Sequence, residues 1–353
     1  MPPTTIGYVP YSRDLRAPGD RRRLAFYGQA RPSRVRLALD PDPAAPPPVV
    51  FLATTADVTT WAEVPRKTRV VYEVIDSYFT VPSKSAANLG RGALKWLTRS
   101  TKHLALDYRA AMERMCRRAD AVICSTEEQR ETVGRWCPNV HIILDWHGDD
   151  ADRVKTLHEM RQPQSIMWEG LPSTLGALTE LAEAVRAIRR HQRLRLDLVT
   201  DAEFRQYAQR FGRRRSDEVA QRVIGDHVLH PWSPKALQAV AATADLAVVP
   251  VDRSSPFAMG KPENRLLLLW RMGQCVVATR TPASERAMRT AGAEAALCDG
   301  PDDWERTLRR LLADPEERAE LARRGQEHAL RVGDRDRLLG AWDTVFDSLN
   351  VPA

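Results

Sequence analysis

The chain has 353 residues, 43% hydrophobic and 28% charged, with a formal net charge of +7. That length suits two domains better than one core, and the composition is that of a folded globular protein rather than a disordered one. The positive charge admits nucleic acid, an anionic membrane face or an acidic substrate as partners; with 46 arginines against 7 lysines, arginine clusters carry less information here than lysines do.

In chain order, TTIGYV, RVRLAL and PVVFLA read as short apolar strands, followed by RVVYEVI, DAVICS and VHIIL. Helix-like stretches near Leu104–Arg118 and Glu127–Arg135 separate the last three. PDPAAPPP at 41–48 is a stiff connector between strands. A polar stretch, 145–164, interrupts the pattern, which then restarts: SIMW, a helix from Thr174 to Arg190, LRLDLVT, a helix near 203–211, HVLH, a helix at 234–243, LAVVP, a helix at 262–272 and CVVAT. This alternation predicts an α/β protein of two Rossmann-like, doubly wound domains facing a cleft. The amino-terminal domain is expected over 1–155 and the second over 156–335. A carboxyl-terminal helix at 336–353 returns to the first domain in this reading.

Several common classes are excluded. No apolar run approaches the roughly 20 residues of a bilayer span, and the start, MPPTTIGYVPYSRD, has no leader pattern. Cys116, Cys124, Cys137, Cys275 and Cys298 have no metal-type spacing, so they read as reduced, apolar residues of a cytoplasmic protein, with no zinc. The first strand is not followed by G-x-G-x-x-G, and neither a P-loop nor a G-x-S-x-G elbow occurs.

The most informative stretch is GKPENRLLLLWRMGQCVVATRTPASE, 260–285. It places Lys261, Asn264 and Arg265 where an apolar helix begins, with Pro262 as its starting residue. Unpaired N–H groups already make a helix start positive, so added cations there predict an anion.

Residues 244–252 (ADLAVVPVD), 261–285 and 302–329 together resemble the carboxyl half of retaining, family-4-like nucleotide-sugar glycosyltransferases of the glycosyltransferase-B fold. VVYEVIDSYF (70–79), ADAVICSTEEQRETV (119–133), NVHIILDWHGD (139–149) and SIMWEGLPSTLGALTEL (165–181) fall in the order that family shows. The family usually carries two glutamates on this helix; here their positions hold Lys261 and Leu268. K-P-x-N-R resembles a subset in which lysine, asparagine and arginine face the donor phosphates. The resemblance thus implies sugar transfer, with retention, from a nucleotide-diphosphate donor to a glycan or lipid-linked acceptor. The nucleotide sugar is a substrate, and no cofactor is expected.

A glycosyl donor leaves as a diphosphate, and cations aimed at the leaving oxygen stabilise the transition state more than the ground state. Lys261 and Arg265 fit that task without a metal. GDD at 148–150 is the nearest acidic motif and reads as a solvated linker. Gly170 lets a phosphate approach the backbone or simply makes a turn. Glu285 either reaches the cleft or caps its helix. His147 contacts a sugar or serves structure, and Asp76 orients an acceptor hydroxyl or caps a turn.

In SRDLRAPGDRRR, 12–23, Arg21, Arg22 and Arg23 are expected to begin a helix. The resemblance implies that this loop faces the acceptor, where one of them would meet a phosphate; otherwise they form a solvated basic helix start. Over 91–108 the spacing predicts one amphipathic helix, with Leu94, Leu97, Thr101, Leu104 and Tyr108 on one face and Lys95, Arg99 and Lys102 on another. That helix either packs on its own domain or rests on an anionic membrane, which would make the protein peripheral at the inner face. Basic residues spread through both halves without a nucleic-acid module argue against nucleic acid. The remaining alternative is a catalytically silent relative acting as a binding or scaffold protein, to which the missing glutamate points.

Overall fold

Most strands are followed by a helix that returns the chain to the same edge of the sheet, so successive strands pair in parallel. The computed structural model describes residues 3–81, 86–151, 154–206 and 211–351. Its first sheet holds β1 (Thr4–Val9), β2 (Val35–Leu39), β3 (Val49–Leu52), β4 (Arg69–Val74), β5 (Ala121–Cys124) and β6 (Val140–Ile142). They lie in the order β2-β1-β3-β4-β5-β6, every neighbouring pair parallel.

Adjacent residues on these strands serve opposite faces. Phe51, Val71 and Ile123 enter one core, while Val50, Leu52, Tyr72 and Val122 enter the other. Burial on both faces explains why β3 and β5 read as unbroken apolar runs rather than alternating ones. The second of these cores is covered by the helix Tyr108–Arg118, whose start is capped by Asp107 accepting from the Ala110 N–H.

The first compact unit comprises Met1–Trp146, Gly260–Pro262 and Gly333–Ala353. The last segment contains the helix Arg335–Ser348, which sends Leu338, Leu339, Trp342, Val345 and Phe346 into the core with Ile6, Tyr27 and Phe51. That spacing places all five on one helical face. Tyr27 and Phe346 stack with ring centroids 4.9 Å apart, and Arg34 reaches Asp343 at 2.7 Å.

The second unit, His147–Met259 with Glu263–Val332, thus begins earlier than the expected boundary at 155/156. It contains β7 (Gln164–Glu169), β8 (Leu194–Thr200), β9 (Glu203–Gln206), β10 (Phe211–Arg215), β11 (Val228–Pro231), β12 (Leu246–Val249), β13 (Val276–Thr279) and β14 (Leu297–Cys298). The main sheet is parallel, in the order β11-β8-β7-β12-β13-β14. Of the helix expected near 203–211, residues 207–210 lie outside the described residues; on either side of them β9 and β10 pair as an antiparallel ribbon rather than a helix. EFRQ and FGRRR lack an apolar stripe at helical spacing, and a free ladder edge suits them better.

All five cysteines are buried and unbridged. Among the described residues, no helix is long and apolar enough to cross a membrane.

Candidate functional site

In an open parallel sheet, ligands bind outside the carboxyl ends of the strands, where the strand order reverses. In the second unit that point lies between β7 and β12, because β8 continues to one side of β7 and β12 starts the other. β7 ends on Glu169, and the loop leaving it begins at Gly170. Downstream of β12 comes the helix Asn264–Arg271, which follows Glu263 and has no side-chain cap.

Arg265 is the centre of this arrangement. Its guanidinium carbon lies 5.6 Å from the Trp168 ring centroid. Its Nε is 3.8 Å from Glu169 Oε2, and its Nη2 donates to Thr174 Oγ1 at 3.4 Å. Glu169 is fixed from the other side, where Trp232 Nε1 donates to its Oε1 at 3.0 Å. Gly170 is required for this packing, since a Cβ there would fall 2.7 Å from Arg265 Nη2 and 2.8 Å from Trp168 Cζ2. The side chain of Arg265 keeps 24% exposure. Burial pushes its guanidinium below the usual pKa, against the opposing pull of Glu169. A cation held by one distant carboxylate and one long hydrogen bond retains capacity for an anion.

Asn264 begins the helix with its side-chain oxygen buried and without a hydrogen-bond partner. Glu263 is turned away, bound at both oxygens by Arg286 Nη2 at 3.1 and 3.2 Å. Leu268 is 1% exposed within the apolar run Leu266–Trp270, so this helix offers no carboxylate at that position. Pro262 precedes the helix rather than starting it. The sequence cluster is therefore divided: Asn264 and Arg265 belong to the second unit, whereas Lys261 and Pro262 are counted with the first.

In that first unit Lys261 acts electrostatically on Asp76, which follows β4. Burial raises the Asp76 pKa, while Lys261 and Arg91 pull it down. A Cβ on Gly260 would lie 2.7 Å from Ser77 Cβ, which shows how closely the 260–262 segment approaches the turn after Asp76.

The remaining candidates are placed less suggestively. Glu285 is held by Arg280 at 3.2 Å and Arg289 at 2.7 Å, and it does not cap its helix; Thr281 and Ser284 form the capping box. His147 is buried at the start of the short turn Gly148–Asp150. Arg21 ends the helix Pro18–Arg21, and the Arg22 carbonyl accepts from Trp146 N at 2.8 Å. Arg23 is not an acceptor-side surface cation. It is fully buried, with Nε 3.0 Å from Glu73 and Nη1 2.9 Å from both Asp145 and the Ile143 carbonyl. Two strands, β4 and β6, deliver these groups to it, and the buried polar atoms need a donor.

Nor is 91–108 one helix. The helix Ala86–Leu97 stops where the Thr98 hydroxyl donates back to the Lys95 carbonyl and Arg99 takes a left-handed φ of 58°. Thr101 and Tyr108 turn inward, whereas Trp96, Leu97, Leu104 and Leu106 are exposed. Lys95 bends over the Tyr108 ring, 4.8 Å from its centroid, and burial lowers its pKa.

Sequence reasoning missed Glu169, Trp232, Trp168 and Thr174. Trp168 and Glu169 adjoin Gly170 in the stretch quoted above, and a carboxylate at the end of the central strand is the signal that was available. Among the described residues, no three of His, Cys, Asp and Glu are grouped to hold a metal ion.

Residues 182–333 match the family described as glycosyl transferase-like. No curated protein matches the chain by sequence. Among solved structures, sucrose-phosphate synthase from Thermosynechococcus elongatus superposes with a TM-score of 0.57 at 13% identity, covering 86% of this chain and 74% of that one. WaaG, a glycosyltransferase involved in lipopolysaccharide biosynthesis, gives 0.56 at 14% identity over 98% and 99% of the two chains. The E. coli trehalose-6-phosphate protein bound with UDP-2-fluoro glucose gives 0.55 at 11% identity over 86% and 73%. With its two parallel Rossmann-like sheets, the chain has the glycosyltransferase-B fold.

Proposed function

We propose that the protein moves a sugar from a nucleotide-diphosphate donor to a glycan or lipid-linked acceptor, with retention and without a metal. The observation that carries this reading is Arg265. It is a part-exposed guanidinium at the switch point of the second sheet, packed on Gly170 and only weakly satisfied by Thr174 and Glu169. The match of 182–333 to a glycosyl transferase-like family supports placing the donor in this unit. Asn264 and Arg265 take the diphosphate, and Lys261 adds a second cation to the leaving oxygen. As the glycosidic bond stretches, charge grows on that oxygen, and fixed cations lower the barrier there. Asp76, beside Lys261 and with its pKa raised by burial, orients the acceptor hydroxyl.

In this reading the protein works in the cytoplasm and touches the inner membrane face through the exposed apolar residues of 96–106. Thermal unfolding in the presence of UDP-, GDP-, ADP-, CDP- and TDP-sugars tests the donor, because a ligand that binds only the folded state raises the midpoint. One nucleotide class should stabilise the protein and be hydrolysed slowly, with chelator changing the rate less than about twofold. The buried Leu268 favours a second reading, a silent scaffold. Under it, no nucleotide sugar shifts the midpoint or turns over.

A further inference from the structure

We infer that Glu169 is a positioning residue for the anion site, acting through Arg265 and itself anchored by Trp232. The inference rests on the proposed diphosphate site and adds to it a carboxylate whose charge opposes that site. A negative group beside an anion site weakens binding by Coulomb repulsion alone. Its presence needs another reason, and the geometry supplies one.

An arginine side chain is long and loses roughly 2 kcal/mol of rotamer freedom when fixed. Four contacts share that task here. The Trp168 ring lies 5.6 Å from the guanidinium carbon, and the bare backbone of Gly170 closes another side. Thr174 takes Nη2 at 3.4 Å, and Glu169 faces Nε at 3.8 Å. Glu169 approaches the guanidinium at Nε and Thr174 at Nη2, so among the described residues neither of them occupies Nη1. The carboxylate cannot swing freely, because Trp232 Nε1 holds Oε1 at 3.0 Å. Trp232 follows β11, two strands from β7, so its indole ties the site to the far side of the sheet. The chain Trp232–Glu169–Arg265 thus fixes one edge of the guanidinium and presents the other. Preorganisation of this kind raises affinity by removing ordering cost at the moment of binding.

Positioning and repulsion predict opposite signs for the same substitution. Binding of inorganic pyrophosphate and of UDP is measured by calorimetry on the full chain at fixed ionic strength, with folding checked by circular dichroism and thermal midpoint. Wild-type protein should bind both, and Arg265→Ala should lose both. If the wild type binds neither these nor the other nucleoside diphosphates, the diphosphate site itself is wrong and the inference goes with it. If wild type binds and Arg265→Ala does not, the Glu169 variants decide. Glu169→Ala should weaken pyrophosphate binding about tenfold, the worth of one charge-assisted contact. Glu169→Gln leaves a single acceptor oxygen, enough for Trp232 Nε1 or for Arg265 Nε but not for both, so its binding should fall between that of wild type and that of Glu169→Ala. Trp232→Phe keeps the ring, removes the N–H donor and should lose about threefold, which covers the case of an unfolded Glu169→Ala. Binding unchanged or tightened in Glu169→Ala and in Trp232→Phe, while Arg265→Ala abolishes it, overturns the positioning role.

Discussion

Two arginines, one in each unit, begin from similar sequence and end in opposite states. Arg23 in RRRLAFY and Arg265 in NRLLLLW each stand at the start of an apolar helix near the carboxyl edge of a parallel sheet. Arg23 meets two carboxylates at 3.0 and 2.9 Å and a carbonyl at 2.9 Å, with no exposure. Arg265 meets one carboxylate at 3.8 Å and a hydroxyl at 3.4 Å, and stays 24% exposed. The difference lies in what neighbouring strands deliver. Glu73 within β4, and Asp145 after β6, converge on Arg23, while the last residue of β7 brings Arg265 a single acid and the loop after it a glycine. A cation paired with two carboxylates and closed off from solvent is part of the scaffold. An under-satisfied one is a binding group.

The largest effect should come from breaking the buried ion cluster around Arg23. Arg23→Met strands two buried carboxylates, and losing one partner of a buried ion pair costs about 3–5 kcal/mol. Urea unfolding should show that loss, or the protein should fail to fold. Stability within about 1 kcal/mol of wild type would mean that Arg23 is not the structural member of the comparison.

Acid should then separate the units. His328 of the second unit is held neutral by burial and by Arg331, which lowers its pKa to about 4, and His158 is lowered to about 4 by burial, Lys155 and Arg318. A depressed histidine contributes stability that is complete above its unfolded pKa, near 6.5, and is lost as pH falls toward 4. For His328 the loss is on the order of 1–3 kcal/mol across that window. His328→Gln should flatten the pH dependence of unfolding between those limits. An unchanged slope would assign the acid sensitivity elsewhere, with His158 as the next candidate and the half-buried His141 of the first unit after it.

A smaller effect in energy, though larger in function, concerns the under-satisfied cation. Arg265→Ala or Lys261→Ala should each weaken donor binding or turnover at least about tenfold with little change in stability. If Arg265→Ala instead costs several kcal/mol of stability with activity intact, the contrast with Arg23 disappears.

How much of this was legible follows the same physics. The parallel strands announced themselves because burial on both faces makes unbroken apolar runs such as VVFL and LAVV. The Lys261–Arg265 cluster was visible because charge at a helix start is locally unfavourable. Arg23 was misjudged because its carboxylates arrive from residues 73 and 145, a distance no local pattern reports. The 203–215 ribbon and the break after Leu97 were missed for a related reason. Short polar segments take the conformation that their hydrogen bonds allow, and propensity decides little there. Glu169 was overlooked because its meaning depends on Trp232, which lies on another strand's loop.

The smallest effect concerns two exposed apolar stretches, again one in each unit. Trp96, Leu97, Leu104 and Leu106 of the first are interleaved with exposed Arg99, Lys102 and His103. Val154, Leu157 and Met160 of the second lie among buried Lys155, exposed Glu159 and half-buried Arg161. Aromatic and aliphatic residues mixed with cations favour an anionic bilayer, where each basic residue contributes on the order of 1 kcal/mol. With Lys155 buried and Glu159 set against Arg161, the second stretch offers less of that attraction. The protein should therefore co-sediment with phosphatidylserine-containing vesicles at low salt and leave them at high salt, where screening shortens the reach of the charges. Trp96→Ala/Lys102→Glu should reduce binding about tenfold, whereas Leu157→Ala/Met160→Ala should not change it. Equal recovery from anionic and neutral vesicles in all variants would leave the 96–106 surface with no membrane role, and the acceptor would then be sought among soluble glycans.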